Sequence, residues 1–318
     1  MASRQKHANM NPQVSVIFPV GEREAYLAEA IESVLGQTFT DFEFLIILDG
    51  VSSAVLDIVE RYRDERIRQI RLPINLGISN ARNAGLVSAR APYLALMDSD
   101  DIALPHRLQR QFDWLQEHPD VTVLGSNAIK MYEDGRREPM IYPQTDGQIK
   151  ARLLLVDSAL LNPTAMMRAD FIQRHAIRYD ASFPRDHDHR LFVDMMLRGA
   201  SFYGLQEPLL HYRRHAHNAT RDRTGVDAEK SRIREQLLHR YFPELTGHEV
   251  QALLKGMHEQ VQMNLDEACE FVAAVHKALR ESRVCHGEDR LELRRILQRY
   301  LGRMHQALHP RPILNATP

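Results

Sequence analysis

Phe44-Leu-Ile-Ile-Leu48 is an unbroken apolar run. It offers no polar face to water, so as a strand it needs cover on both sides of its sheet. Val14-Ser-Val-Ile-Phe18, closed by Pro19, and Tyr93-Leu-Ala-Leu-Met97 read the same way, and Val121 to Gly125 is a fourth candidate. Helical periods lie between them: Leu27, Ala30, Ile31 and Val34; Val55, Leu56, Val59 and Tyr62; the Ala-rich stretch Ser79 to Ala89; and Leu108, Phe112 and Leu115, closed before Pro119. Strands alternating with helices predict an α/β chain with a mostly parallel central sheet flanked by helices. In such sheets ligands bind beyond the carboxyl ends of the strands. The polar residues after Phe18, Leu48 and Met97 are therefore the first candidates for a site.

Composition narrows the function classes. The chain has 318 residues, 44% hydrophobic and 26% charged, which excludes a disordered or collagenous protein. Lys+Arg number 41 against 42 Asp+Glu, so no global field draws the chain to nucleic acid. Cys269 and Cys285 form neither a disulfide framework nor a zinc-binding pair. Met1 to Met10 is polar and has no apolar signal core. No apolar run approaches the ~20 residues of a transmembrane helix. The expectation is a protein of the reducing cytoplasm.

Beyond Gly225 the period is nearly all helical: Val226 to Tyr241, a long stretch from His248 to Arg283, and Asp289 to Leu308. The expected organisation is a catalytic unit at 1–225 and a C-terminal helical extension at 226–318. In the last helix Leu293, Leu297, Tyr300, Met304 and Leu308 form a stripe bordered by Arg290, Arg294, Arg295, Arg299 and Arg303. That pattern packs on the parent domain, pairs two copies into a homo-oligomer, or lies as a peripheral contact on the anionic inner face of a membrane.

Asp98-Ser99-Asp100-Asp101 follows the third strand. Two unit charges at 4 Å interact by ~1 kcal/mol in water and ~4 kcal/mol at an effective dielectric of 20, so three carboxylates here repel. A divalent cation carrying a phosphate is the simplest compensation. A solvated acidic turn capping a helix near Pro105 is the plainer alternative.

The surrounding motifs decide between them. Asn75-Leu-Gly-Ile-Ser-Asn-Ala-Arg-Asn-Ala-Gly85, Tyr93 to Asp101 and Pro105-His-Arg-Leu108 resemble glycosyltransferase family 2. So do Val14 to Pro19, Tyr26-Leu27, Ala30 to Thr38 and Asp41 to Ile47. The resemblance spans roughly residues 13 to 217 and implies a GT-A fold. It also implies inverting transfer of a sugar from a nucleotide-sugar, commonly a UDP-sugar, to a glycan or lipid-linked acceptor, with Mn2+ or Mg2+ as cofactor.

Residue by residue, the resemblance gives Asp100 to the metal and Asp98, with Ser99, to the ribose or the metal's outer shell. Pro19 and Val20 end the first strand on the donor side. Asp49 matches the first Asp of the family's Asp-Asp-Gly-Ser and would accept the uracil ring N–H, but Gly50 replaces the second Asp. Gly21-Glu22 likewise replaces the family's Tyr-Asn. Arg82 would meet the base or the diphosphate, with a helix-surface arginine as the alternative. The general base falls in Pro184-Arg-Asp-His-Asp-His-Arg-Leu-Phe-Val193, at Asp188, with Asp186 as the rival register and His187 in place of the family's Glu. Asp186 could instead cap the helix. His187 and His189 would make a second metal site only with a third ligand the sequence does not locate. Pro208 to His215 resembles a loop whose Arg213 and His215 approach the diphosphate or metal, and Asn162-Pro-Thr164 resembles an acceptor-side segment. Two other readings stand beside this one: a DxD phosphatase, weakened by Asp101-Ile102 where Gly-Thr belongs, and a sugar-nucleotide-binding protein without turnover, favoured by Gly21 and Gly50.

Overall fold

A computed structural model describes residues 11–22, 25–155, 159–215, 226–257, 263–281 and 286–308. The first half alternates as the sequence predicts: β1 (Val14–Val20), α1 (Leu27–Leu35), β2 (Phe42–Asp49), α2 (Ser53–Val59), β3 (Ile67–Leu72), α3 (Ile78–Ser88) and β4 (Tyr93–Leu96). β3, β2, β1 and β4 lie side by side in that order, all parallel, with Val14 opposite both Phe42 and Tyr93.

The apolar run in β2 works by parity. Phe44, Ile46 and Leu48 enter a core on one face, under α1, α2 and, further along the chain, the helix after β4. Leu45 and Ile47 enter a second core on the other face. β4 divides likewise, Tyr93 and Ala95 from Leu94 and Leu96. Alternate residues of a strand point to opposite faces, so a strand buried twice has no polar position to give.

Past β4 the chain runs through β5 (Ile102–Ala103), α4 (Arg107–Glu117), β6 (Val123–Tyr132), β7 (Arg137–Met140), α5 (Asp146–Leu155), β8 (Met166–Arg168), α6 (Ala169–Arg174), α7 (His187–Leu197) and β9 (Phe202–Arg214). Here the pairing is mixed. β8 runs antiparallel to β4 and β6, β5 antiparallel to β9, and β6 parallel to β9. The parallel character read from the sequence thus belongs to the first four strands, and the second half of the sheet is mixed.

The C-terminal helices are α8 (Val226–Tyr241), α9 (Gly247–Met257), α10 (Leu265–Glu281) and α11 (Arg290–Leu308). The helical stretch read from His248 to Arg283 holds α9 and α10. Asn264 and Glu267 cap the start of α10: each accepts the other's backbone N–H. The stripe of α11 packs inward: Leu293, Leu297, Tyr300 and Met304 are buried, and the Tyr300 hydroxyl donates to the Leu155 carbonyl at 2.6 Å. The stripe therefore packs on the parent domain. No described helix is long and apolar enough to cross a membrane. Gly225, Cys285 and the Leu308 side chain lie outside the described residues, and Cys269 is exposed and unbridged.

Candidate active site

The acidic turn leaves β4 and is held from below and behind. Arg107, fully buried at the start of α4, donates to the Leu96 carbonyl at 2.8 Å and to Gln111 at 3.1 Å. Burial pushes its guanidinium down to about 10, against the pull of Asp101 and Asp98. Asp101 is 1% exposed: Oδ1 accepts the Arg213 backbone N–H at 2.9 Å, and Oδ2 finds no hydrogen-bond partner among the described residues. Burial, then the neighbouring Asp100 and Asp98, pushes its carboxyl well up. Asp100 is pushed up by burial and Asp98, and drawn down by His215. This is no solvated surface turn. Its excess negative charge is confined.

His215, just past β9, meets Asp100: Nε2 lies 3.1 Å from Oδ2. Tyr26 packs its ring 5.3 Å from the imidazole. One carboxylate and one imidazole suit a divalent ion that keeps waters and takes further ligands from phosphate oxygens. Among the described residues no three His, Cys, Asp or Glu side chains close into a protein cage. The donor set thus fits Mn2+ or Mg2+ brought with a diphosphate and does not resemble a structural metal centre.

Arg82, on α3, is 4% exposed and no surface arginine. Nη2 donates to Asp98 at 2.6 Å, Nη1 meets His187 Nε2, and the guanidinium lies 5.4 Å from the Tyr179 ring centre. Because arginine only donates, His187 Nε2 accepts and its Nδ1–H points to the Pro184 carbonyl at 3.3 Å. Burial and Arg82 hold His187 below its usual range, consistent with that neutral tautomer. Asp188, in the first turn of α7, adds to the field that raises Arg82, as does Asp98. Arg82 therefore links the acidic turn to the helix bearing Asp188.

The two candidate bases separate clearly. Asp188 is half-buried, with Oδ1 accepting the His189 backbone N–H at 2.8 Å. Asp186 is 5% exposed, and its Oδ2 lies 2.9 Å from His189 Nδ1. His189 Nε2 is 2.9 Å from the Leu153 carbonyl. Asp186 and His189 are thus paired with each other inside the fold, and among the described residues no third ligand joins them.

The donor-side candidates make contacts within the chain. Both Asp49 oxygens are taken by backbone amides, Leu76 N at 2.7 Å and Gly77 N at 2.9 Å, so its carboxylate braces the loop before α3. The Arg213 guanidinium pairs with Glu29, donates Nε to the Asp100 carbonyl at 3.0 Å and covers the Tyr26 ring at 4.1 Å. It stiffens the acidic turn. Pro19 and Val20 are buried at the end of β1. Ser99 stays half-buried on the turn.

Sequence reasoning missed Tyr142 and Tyr179. Tyr179 donates to Asn162 at 3.2 Å, and its backbone pairs with the Asn83 side chain on α3. The Asn83 beside Arg82 in the quoted motif was the available signal. Tyr142 is pushed up by burial, then by Tyr212 and Asp188, with Arg152 opposing. Nothing local in the sequence announces it.

Residues 15–176 match the family model described as "Glycosyl transferase family 2". An uncharacterized glycosyltransferase of Methanocaldococcus jannaschii is 31% identical over 237 residues, 73% of this chain and 78% of that protein. Residues 1–349 of S. aureus TarS, solved in complex with UDP-GlcNAc, superpose with a TM-score of 0.60 at 18% identity, covering 94% of this chain and 93% of that one. The chain spans about half of the longer TarS crystal chain. The mannosyltransferase PcManGT of Pyrobaculum calidifontis, solved with GDP-Man and Mn2+, superposes with a TM-score of 0.52 at 12% identity, over 94% of this chain and 88% of that one. These likenesses fix the fold as GT-A.

Proposed function

The chain belongs to glycosyl transferase family 2 and is a glycosyltransferase, and on that premise we propose that it transfers a sugar, with inversion and in a metal-dependent way, from a nucleoside diphosphate sugar, UDP-linked, to a hydroxyl of a glycan or lipid-linked acceptor. The observation that carries this reading is the double attachment of the acidic turn. Asp100 meets His215 on one side, and Asp98 is tied through Arg82 to the helix of Asp188 on the other. TarS with UDP-GlcNAc and PcManGT with GDP-Man and Mn2+ support a nucleotide-sugar donor and a divalent ion.

Asp188 takes the proton of the acceptor hydroxyl as that oxygen attacks the anomeric carbon, and the bond to the diphosphate breaks on the opposite face. General-base help of this kind contributes ~10²–10⁴-fold. Arg82 fixes Asp98 and holds the start of α7 through His187, so the two carboxylates keep their separation. Asp100 and His215 would hold the divalent cation, which when bound neutralises charge growing on the departing diphosphate. Asp101, Arg107 and Arg213 keep the turn from relaxing. Neutral His187 adds no charge beside Arg82.

The test is transfer and donor hydrolysis with and without EDTA, in the natural chain and in Asp100→Asn. Loss of turnover on chelation, restored by Mn2+ or Mg2+ only in the natural chain, is expected. Undiminished turnover of Asp100→Asn in EDTA would reject the metal-dependent scheme.

A further inference from the structure

Tyr26 opens α1 in a backbone conformation that tyrosine rarely adopts. Its φ is +71° and its ψ −12°, in the left-handed region. A Cβ there crowds the following carbonyl, a cost that glycine at the same position avoids. Helix starts usually take a side chain that caps the first amides, and Tyr26 makes no such bond. Among the described residues neither apolar core includes it. The residue therefore carries backbone strain without a gain from capping or core packing. Such outliers persist where the surroundings hold the residue in place, and they cluster at functional sites.

The side chain reaches the end of β9. The ring centre lies 4.1 Å from the Arg213 guanidinium carbon and 5.3 Å from the His215 ring centre, with the two rings tilted by 36°. The hydroxyl donates to Glu133 at 3.2 Å, in the turn between β6 and β7. Nearly one helical turn on, Glu29 pairs with the same Arg213. The start of α1 thus grips two residues at the end of β9, and one of them is the imidazole that meets Asp100. A histidine ligand serves a metal only while its ring stays aimed at the ion, and the groups around it set that aim. An aromatic neighbour at 5.3 Å is in packing contact and limits rotation of the imidazole. We propose that Tyr26 is a positioning residue for the divalent cation: its ring fixes the His215 imidazole so that Nε2 and the Asp100 carboxylate converge on one point. The proposal rests on the reading of Asp100 and His215 as ion ligands and adds the residue that preorganises them.

Tyr26→Gly removes the ring and relieves the left-handed backbone, so the fold is expected to persist. Free Mn2+ is followed by electron paramagnetic resonance as the ion is titrated into each chain with UDP present. UDP binding in EDTA and Tm are measured beside it. Tyr26→Gly should bind Mn2+ at least about tenfold more weakly, with Tm and UDP affinity in EDTA near those of the natural chain. Tyr26→Phe keeps the ring and should recover most of the Mn2+ affinity. Mn2+ binding by Tyr26→Gly equal to that of the natural chain overturns the proposal. So does a parallel loss of UDP binding in EDTA or of the thermal transition, which marks a general structural role. A Tyr26→Phe variant as weak as Tyr26→Gly also overturns it, because the effect then belongs to the hydroxyl. His215→Ala is titrated separately. Undiminished Mn2+ binding there removes the ligand assignment and the proposal with it, whereas a loss in His215→Ala with none in Tyr26→Gly removes the proposal alone.

Discussion

Asp186 and Asp188 stand two residues apart on one turn, and their surroundings give them different work. The Leu153 carbonyl can only accept, so His189 Nε2 carries a proton. Its Nδ1 then either donates to the Asp186 carboxylate as imidazolium or accepts from a carboxylic acid, and in both cases that pair is closed to substrate. Asp188 keeps an oxygen beyond its backbone bond and lies in reach of Arg82's field. Asp188→Asn is therefore expected to cut transfer ~10²–10⁴-fold while UDP binding persists. Asp186→Asn should instead destabilise the fold by ~1–3 kcal/mol, with a much smaller loss of turnover per folded molecule. Single-turnover transfer and denaturant unfolding, measured on both variants, separate the two. Gly50 has a similar local explanation. Its φ is +61°, and an added Cβ would collide with the backbone of Ile74 and Asn75, the loop that Asp49 grips. The missing second Asp and the loop-bound first Asp are one packing arrangement.

α7 presents Asp188, and its start is fixed from the far end of the chain. Buried Glu229 on α8 accepts the backbone N–H groups of Arg185 (3.0 Å) and Asp186 (2.9 Å). Glu229→Ala leaves those donors unmet inside the protein and is expected to lower kcat more than UDP affinity. Glu229→Gln retains an acceptor oxygen and should recover much of the loss, which steady-state kinetics of the pair would reveal. α9 opens with a comparable device: Thr246 and Glu249 cap each other, and Lys277 pairs with Glu249. The Lys277 hydrogen bond, then the Thr246 amide, draws the Glu249 carboxyl down to about 2 from 4.5. A group depressed in the folded state stabilises above its unfolded value and loses that contribution as pH falls from about 4.5 toward about 2. The Tm difference between the natural chain and Glu249→Gln should therefore be full at pH 7 and shrink below pH ~4.5. Such elements were unequally legible. β1, β2 and β4 are readable because both parities are apolar. β3, with Arg68, Gln69 and Arg71, is a half-exposed edge that carries no such run. β9 hides behind Glu207, Pro208 and two arginines. Asp98, Asp100, Arg82, Asp188 and His215 are brought into one linked cluster, as their motifs suggest. Glu229 reaches it through long-range packing that no local pattern records.

At the scale of the molecule, the expected boundary near Gly225 divides the sequence more sharply than it divides the core. Leu153, Leu154 and Leu155 of α5 and Leu191, Phe192 and Met195 of α7 share one apolar cluster with Ile233, Leu237, Phe271, Leu297 and Tyr300. The extension covers the outer side of the helices that hold the base, and through Glu229 and Tyr300 it bonds to their backbone. A chain ending at residue 215 would expose that whole face. Burial of apolar surface at ~25 cal/mol per Å² is the main favourable term, and domain stability is only about 5–15 kcal/mol, so even a few uncovered side chains remove most of it. The shortened chain is therefore expected to be aggregated or loosely packed: strong dye binding to exposed apolar surface, weak near-ultraviolet dichroism, no sharp thermal transition, and no UDP binding. A sharp transition at the Tm of the full chain would instead establish two independently folding domains, and the role assigned to Glu229 would fall with it.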